Sequence, residues 1–276
     1  MRTRMKIVTL MENTAGRSDI ASAHGLSLYI ETAKHRILFD MGPDNAYADN
    51  AEKLGVDLKA VDIAILSHGH YDHGGGLAHF RLNFPNAKIY IHRAAFKDFY
   101  AVSEDDAEYI GLDQSMSQKG FTFTGPEREL DEELSLFAEV ADRTGALASS
   151  ANLYTSTFDG MVPDTFAHEQ NLLIRSEGKT VLVAGCAHCG IVNILAEAER
   201  RLGCRPDVTF GGFHMFRLKA GDPAGDRLID DTGRALLEGD TVYYTGHCTG
   251  EYAYGRLKTI LGERLQPMTG GGVVEI

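Results

Sequence analysis

Four imidazole or carboxylate side chains, His68, His70, Asp72 and His73, stand within six residues between the apolar strand-like run ending Ile65-Leu66 and the triplet Gly74-Gly75-Gly76. Four potential ligands directly behind a buried strand are hard to explain as the solvation of a loop. Imidazole nitrogen and carboxylate oxygen are the ligands that borderline cations such as zinc prefer, and iron or manganese also accept them. Glycines at 69 and 74–76 allow the backbone to turn tightly enough for near neighbours to point at different ions.

The same placement recurs along the chain. Of its eleven histidines, His68, His70, His73, His188, His214 and His247 each follow an apolar β-type run. Loops at one end of packed sheets cluster in space, so histidines repeatedly set at strand ends suggest a shared ligand sphere. His214, flanked by Phe213 and Met215, has no adjacent carboxylate and fits a proton donor or a holder of substrate phosphate better than a ligand. His35, His79 and His92 read as surface or edge positions.

The surrounding pattern predicts strands over 6–10, 26–31, 36–39, 62–66 and 88–91, with a helix over 46–54 ended by Gly55. Acidic residues then crowd together over 96–164, β-periodicity weakens, and the interval reads as an insertion or lid. Strands return over 171–174 and 180–184, a helix spans 191–202, and strands over 207–210 and 241–245 each end in a glycine-histidine cluster. Two strand-rich halves suit two packed sheets better than one doubly wound sheet, which makes the class α+β.

Bulk properties exclude several functions. A chain of 276 residues with 43% hydrophobic and 24% charged residues can bury a core. A formal net charge of -12 argues against a phosphate-backbone surface, so no nucleic-acid partner is expected. Cys186, Cys189, Cys204 and Cys248 are too few for a disulfide framework, and no apolar run approaches bilayer length. The expectation is a cytoplasmic protein with no membrane partner, acting on a small anionic molecule; a homo-oligomer is left open. Ser67 and Ser27 lack a Gly-x-Ser-x-Gly elbow, which excludes a serine nucleophile of that type.

His-x-His-x-Asp-His behind a hydrophobic strand resembles the signature of the metallo-β-lactamase superfamily. The stretches Leu10-Met11-Glu12-Asn13-Thr14, His24-Gly25-Leu26-Ser27, Gly185-Cys186-Ala187-His188-Cys189-Gly190, Gly211-Gly212-Phe213-His214 and Thr245-Gly246-His247-Cys248 are similar to its branch related to dihydropterin ribofuranosylaminobenzene phosphate synthase. The resemblance implies a four-layer αββα sandwich spanning residues 1–276, with 96–164 as the insertion. It implies two divalent ions, zinc foremost: His68 and His70 on one, Asp72 and His73 on the other with His247 completing it, and Asp40 supporting a ligand from behind. His188 is the candidate for the remaining ligand. Cys186 takes the place of the family's bridging aspartate and His168 that of an earlier histidine, so either could replace or supplement His188. The implied activity is hydrolysis of a phosphorylated or pterin-like metabolite, with Asp72 orienting the attacking water and His214 handling a proton. A metal-containing binding or regulatory protein is the alternative, and a di-iron redox enzyme a lesser one.

Overall fold

Alternation of apolar residues in the first forty positions produces a meander. Strands β1 (Lys6–Met11), β2 (Ser27–Glu31) and β3 (Arg36–Phe39) pair antiparallel in turn. Helix α1 (Ala46–Lys53) carries the chain to β4 (Ile63–Leu66), parallel to β3; the single turn α2 (Tyr71–Gly74) and α3 (Leu77–Asn83) lead to β5 (Lys88–His92), parallel to β4. Next come β6 (Phe99–Val102), β7 (Ala107–Tyr109), β8 (Phe121–Thr124), β9 (Glu127–Glu129), β10 (Leu134–Ala138), β11 (Leu153–Thr157) and β12 (Gly160–Pro163). The remainder runs β13 (Gln170–Ser176), β14 (Lys179–Val183), α4 (Ile191–Leu202), β15 (Val208–Phe210), α5 (Pro223–Leu236), β16 (Val242–Thr245), α6 (Glu251–Leu261), β17 (Leu265–Pro267) and β18 (Val273–Glu275). These elements come from a computed structural model that describes residues 5–116, 120–141 and 150–276.

Two seven-stranded sheets result, in the orders β18-β1-β2-β3-β4-β5-β8 and β17-β16-β15-β14-β13-β10-β9. Their central strands are apolar on both faces, because each sheet is covered twice. Ile37, Phe39, Ile63 and Ile65 of the first meet Leu136, Leu172, Val181 and Phe210 of the second in a shared inner core. Leu38, Ala64 and Leu66 face outward onto Tyr47 of α1 and Phe80 of α3. Leu173, Leu182 and Tyr243 face outward onto Ile194 of α4, Ile229 of α5 and Leu257 of α6. That is the αββα order of layers.

The expected insertion is narrower than 96–164. Strand β8 extends the first sheet beside β5, and β9 and β10 extend the second beside β13. Only β6, β7, β11 and β12 form a separate, antiparallel four-stranded sheet. The acidic stretch over 127–133 conceals this because β9 is an exposed edge strand, where charge blocks further pairing, while Leu134–Ala138 behind it is wholly buried. Helices α3, α5 and α6 were also not expected. Among the described residues no helix is long and apolar enough to cross a membrane.

A polar pin joins the sheets at the β2–β3 turn. His35 lies between two carboxylates, Nδ1 2.6 Å from Asp62 and Nε2 2.6 Å from Asp131 in the β9–β10 turn. Burial alone would lower the His35 pKa, but bonding to Asp62 and Asp131 outweighs it and raises it. A raised folded-state pKa stabilises fully below the unfolded value near 6.5, and that gain fades as pH climbs through the folded one. His35→Gln is therefore expected to lose on the order of 1 kcal/mol in urea unfolding at pH 6. The deficit should shrink by pH 9; a deficit that grows with pH would contradict the pin.

Candidate metal centre

Strands β3, β4, β14, β15 and β16 all point their C-terminal ends at one edge of the sandwich. The residues that follow them are Asp40, Ser67-His68, Gly185-Cys186, Gly211–His214 and Gly246-His247. Glu12 and Asn13 follow β1 at the same edge. The β4 loop packs closely enough to exclude any Cβ at two positions: one on Gly69 would lie 2.1 Å from the Ala95 carbonyl oxygen, and one on Gly75 1.9 Å from that of Pro43.

Two clusters that share Cys186 form there, Asp72, His73, Cys186 and His247 in one and His68, Cys186 and His188 in the other, and a third group, His70, Asp164 and His168, adjoins them; in each the potential ligand atoms lie within 4.8 Å of one another. His73 Nε2 is 3.1 Å from His247 Nε2 and 3.1 Å from Cys186 Sγ, while His68 Nε2 is 3.3 Å from His188 Nε2. The His70 ring adjoins those of His68 and His188, at 4.5 and 4.9 Å between centroids. Asp72 Oδ2 lies 3.3 Å from His247 Nε2 and 3.5 Å from His73 Nε2. The sequence-predicted residues thus come together, and all are buried.

Hydrogen bonds behind the rings decide which nitrogen faces the cluster. Asp40 Oδ2 accepts from His73 Nδ1 (2.6 Å) and from Ser67 Oγ (2.7 Å), and its Oδ1 accepts from the Ser67 backbone N–H (2.7 Å). With the Ser67 hydroxyl proton committed to Asp40, Ser67 Oγ is left to accept from His68 Nδ1 at 2.8 Å. His247 Nδ1 bonds Asn13 Oδ1 at 2.8 Å, and the His247 N–H bonds Glu12. Nε2 of His68, His73 and His247 therefore carries the lone pair inward. Burial first, and neighbouring imidazoles next, push His68 and His188 far down, His70 to about 3 and His247 to about 4, which keeps them in the ligating neutral form. For His73 burial is outweighed by Asp72 and Asp40, so its pKa rises.

Of the alternatives to His188, His168 lies with His70 and Asp164. Its Nδ1 accepts from the Gly69 N–H (2.9 Å), its Nε2 meets Asp164 Oδ2 (2.9 Å), and its ring stacks on Phe99. Cys186 is shared by both clusters. Burial, then the Cys248 thiol and nearby carboxylates, push its thiol well up, so a thiolate there requires a cation. His214 lies in the cleft wall with Nδ1 3.0 Å from Ser150 Oγ; burial and His247 push it down to about 3. His92, expected at a surface or edge position, is buried. The supporting roles of Asn13, Ser67 and Ser150 were not foreseen; Asn13 at least lay in a stretch already noticed.

A divalent cation fits these residues. Among the described residues His70 Nε2 and His188 Nδ1 are buried without a hydrogen-bond partner, and imidazole nitrogens meet at 3.1 Å (His73 with His247) and 3.3 Å (His68 with His188), close to the separation of two nitrogens on one tetrahedral zinc. A cleft of about 250 Å³ opens onto the clusters, lined among others by His24, Tyr71, Glu108, Asn152, Phe216 and Arg217.

Fold and site define a metal-dependent hydrolase scaffold, and comparison places it. Residues 23–247 match the model of the metallo-β-lactamase superfamily, and the chain belongs to that superfamily. Two relatives come from Methanocaldococcus jannaschii. The uncharacterized protein MJ0448 is 29% identical, aligning 93% of this chain with 99% of its own length. A protein named 7,8-dihydropterin-6-methyl-4-(β-D-ribofuranosyl)-aminobenzene-5'-phosphate synthase is 28% identical over 98% of this chain and 96% of its own. Among solved structures, Tm1679, described as a metal-dependent hydrolase of the β-lactamase superfamily, superposes with a TM-score of 0.81 at 27% identity, covering 99% of both chains.

Proposed function

We propose that this protein is a dinuclear metal-dependent hydrolase of a small anionic metabolite, phosphorylated or pterin-like, with zinc as the resident ion. The observation that carries this reading is the pairing of imidazole Nε2 atoms, His68 with His188 and His73 with His247, beside the single carboxylate Asp72. His68, His70 and His188 would hold one ion and Asp72, His73 and His247 the other, with Cys186 in reach of both. Bound there, such ions supply Lewis acidity to a carbonyl or phosphoryl oxygen and acidify water. The chain's own residues do the rest. Asp72 orients the attacking water, His214, held neutral in the cleft wall, hydrogen-bonds the substrate, and the sheet of β6, β7, β11 and β12, which supplies Ala101, Glu108 and Leu153 to the cleft, acts as the lid.

Arg217 is the one Lys or Arg among the described residues lining the cleft, which suits an anionic substrate in an acidic chain. The relative named as a synthase forms, by that name, a phosphate-bearing pterin compound, which supports a small anionic molecule of this kind in the cleft and not the hydrolytic step itself. Metal analysis of the purified chain, with a screen of phosphodiester, phosphomonoester, lactone and thioester substrates, tests the reading. About two transition ions per chain and chelator-sensitive turnover of a phosphoester are expected. A chain that takes up no transition ion would refute the reading, and a metal-loaded chain that turns over none of the substrates would make it a binding protein.

A further inference from the structure

The stretch around Asn13 and the His24-Gly25 pair, both singled out in the sequence, meet in space. Asn13 Oδ1 faces the Gly25 backbone N–H at 3.2 Å. A backbone amide can only donate, so this arm of the side chain is the oxygen and the other is the NH2. That NH2 faces the His247 carbonyl at 3.4 Å and His24 Nδ1 at 3.2 Å.

Opposite consequences follow for the two rings. His247 Nδ1, 2.8 Å from Asn13 Oδ1, must carry a proton, which leaves a lone pair on Nε2. His24 Nδ1 must accept, so the neutral ring carries its proton on Nε2. Although the two rings lie 4.8 Å apart, one presents a ligand atom and the other an N–H donor. His24 Nε2 is 3.4 Å from Asp72 Oδ2, and among the described residues no cluster of potential ligands includes His24. Its side chain is 48% accessible, where the cluster residues are buried. It also lines both the cleft and an adjoining cavity of about 670 Å³, which share Phe216 as well.

We propose that His24 is a substrate-facing hydrogen-bond donor, its Nε2–H aimed by Asn13 at an oxygen of an ester or phosphoester bound over the metal centre. The inference rests on the metal-dependent hydrolase reading. A donor fixed before the substrate arrives stabilises charge developing on that oxygen without reorganising. Asn13 is then a positioning residue with two outputs: it makes His247 a ligand and prevents His24 from becoming one.

The tautomers can be read directly. In zinc-loaded full chain labelled with 15N-histidine, long-range 1H–15N spectra, assigned with His24→Gln, should show His24 protonated at Nε2 and bare at Nδ1. Asn13→Asp cannot donate to His24 Nδ1, so it should shift the His24 proton to Nδ1 while His247 and the zinc content stay as they are. With the best phosphoester of the screen, His24→Phe should lower kcat by roughly 10²-fold, the order expected for one lost donor, and His24→Gln, which keeps an N–H, by less than about tenfold. A zinc-loaded chain with Nδ1-protonated His24, or a His24→Phe variant at wild-type kcat, overturns this proposal alone. A chain that binds no zinc defeats the underlying reading as well, and metal analysis distinguishes the two failures.

Discussion

Asp72→Ala is expected to lose roughly 10²- to 10³-fold in kcat, the order that follows removal of one charge aimed at a transition state, and to retain fewer metal ions per chain. Asp72 Oδ2 lies within 3.5 Å of Nε2 of three imidazoles, His24, His73 and His247. Burial alone would favour its neutral acid, but His73 and His247 outweigh that and hold the carboxyl ionised, well below the usual carboxylate range. It is the one carboxylate in its cluster, the others being imidazoles and the Cys186 thiol. Without it a cation there would be held by neutral nitrogens unless the thiol ionised. Asp72→Asn keeps the shape and removes the charge, so it should fall nearly as far as the alanine variant. Metal content, kcat and thermal midpoint measured together separate loss of the ion from loss of the fold. An asparagine variant with full metal content and wild-type kcat would sink the role given to this carboxylate.

How far the sequence could be read depended on whether a signal was local. The helix expected over 46–54 is found as Ala46–Lys53, and the one over 191–202 as Ile191–Leu202, because each buries a stripe at helical spacing and stops at a glycine. The αββα order and the convergence of His68, His70, Asp72, His73, His188 and His247 were legible for a related reason. Each ligand candidate lies in the segment that leaves the C-terminal end of β4, β14 or β16, and parallel strands share an edge. Other elements were hidden by competing signals. Gly225 and Gly233 obscure α5, although Asp222, whose side chain accepts from the Ala224 N–H, followed by Pro223 at the first turn, is a usable helix start. The charges of β9 mask a strand because edge strands tolerate charge. His188, His168 and Cys186 could not be ranked from spacing, because their surroundings, such as the Gly69 N–H and Asp164 on the two ring nitrogens of His168, are contacts that only tertiary structure creates.

The largest stability effect is expected one layer behind the ligands, at Asp40. This residue sits directly after β3 with a backbone φ of 60°, fully buried, and its carboxylate takes three hydrogen bonds, from the Ser67 N–H, the Ser67 hydroxyl and His73 Nδ1. Through Ser67 it also fixes the proton on His68 Nδ1, so one carboxylate sets the inward lone pairs of a histidine in each cluster. Asp40→Ala leaves the Ser67 amide and the His73 ring without partners in a dry interior, and about 3 kcal/mol of stability should be lost in chemical unfolding with chelator present. Asp40→Asn is the sharper test. Its oxygen can still accept from the Ser67 N–H, but its NH2 then meets the Ser67 hydroxyl and His73 Nδ1 as a donor. His73 must accept there and carry its proton on Nε2, where a ligand lone pair is needed. Metal affinity in a chelator competition should fall by about 10- to 100-fold, the range for a lost partner behind a ligating histidine. If the asparagine variant instead bound metal as tightly as the parent, the proton on His73 Nδ1 would not be what turns its Nε2 toward the ions.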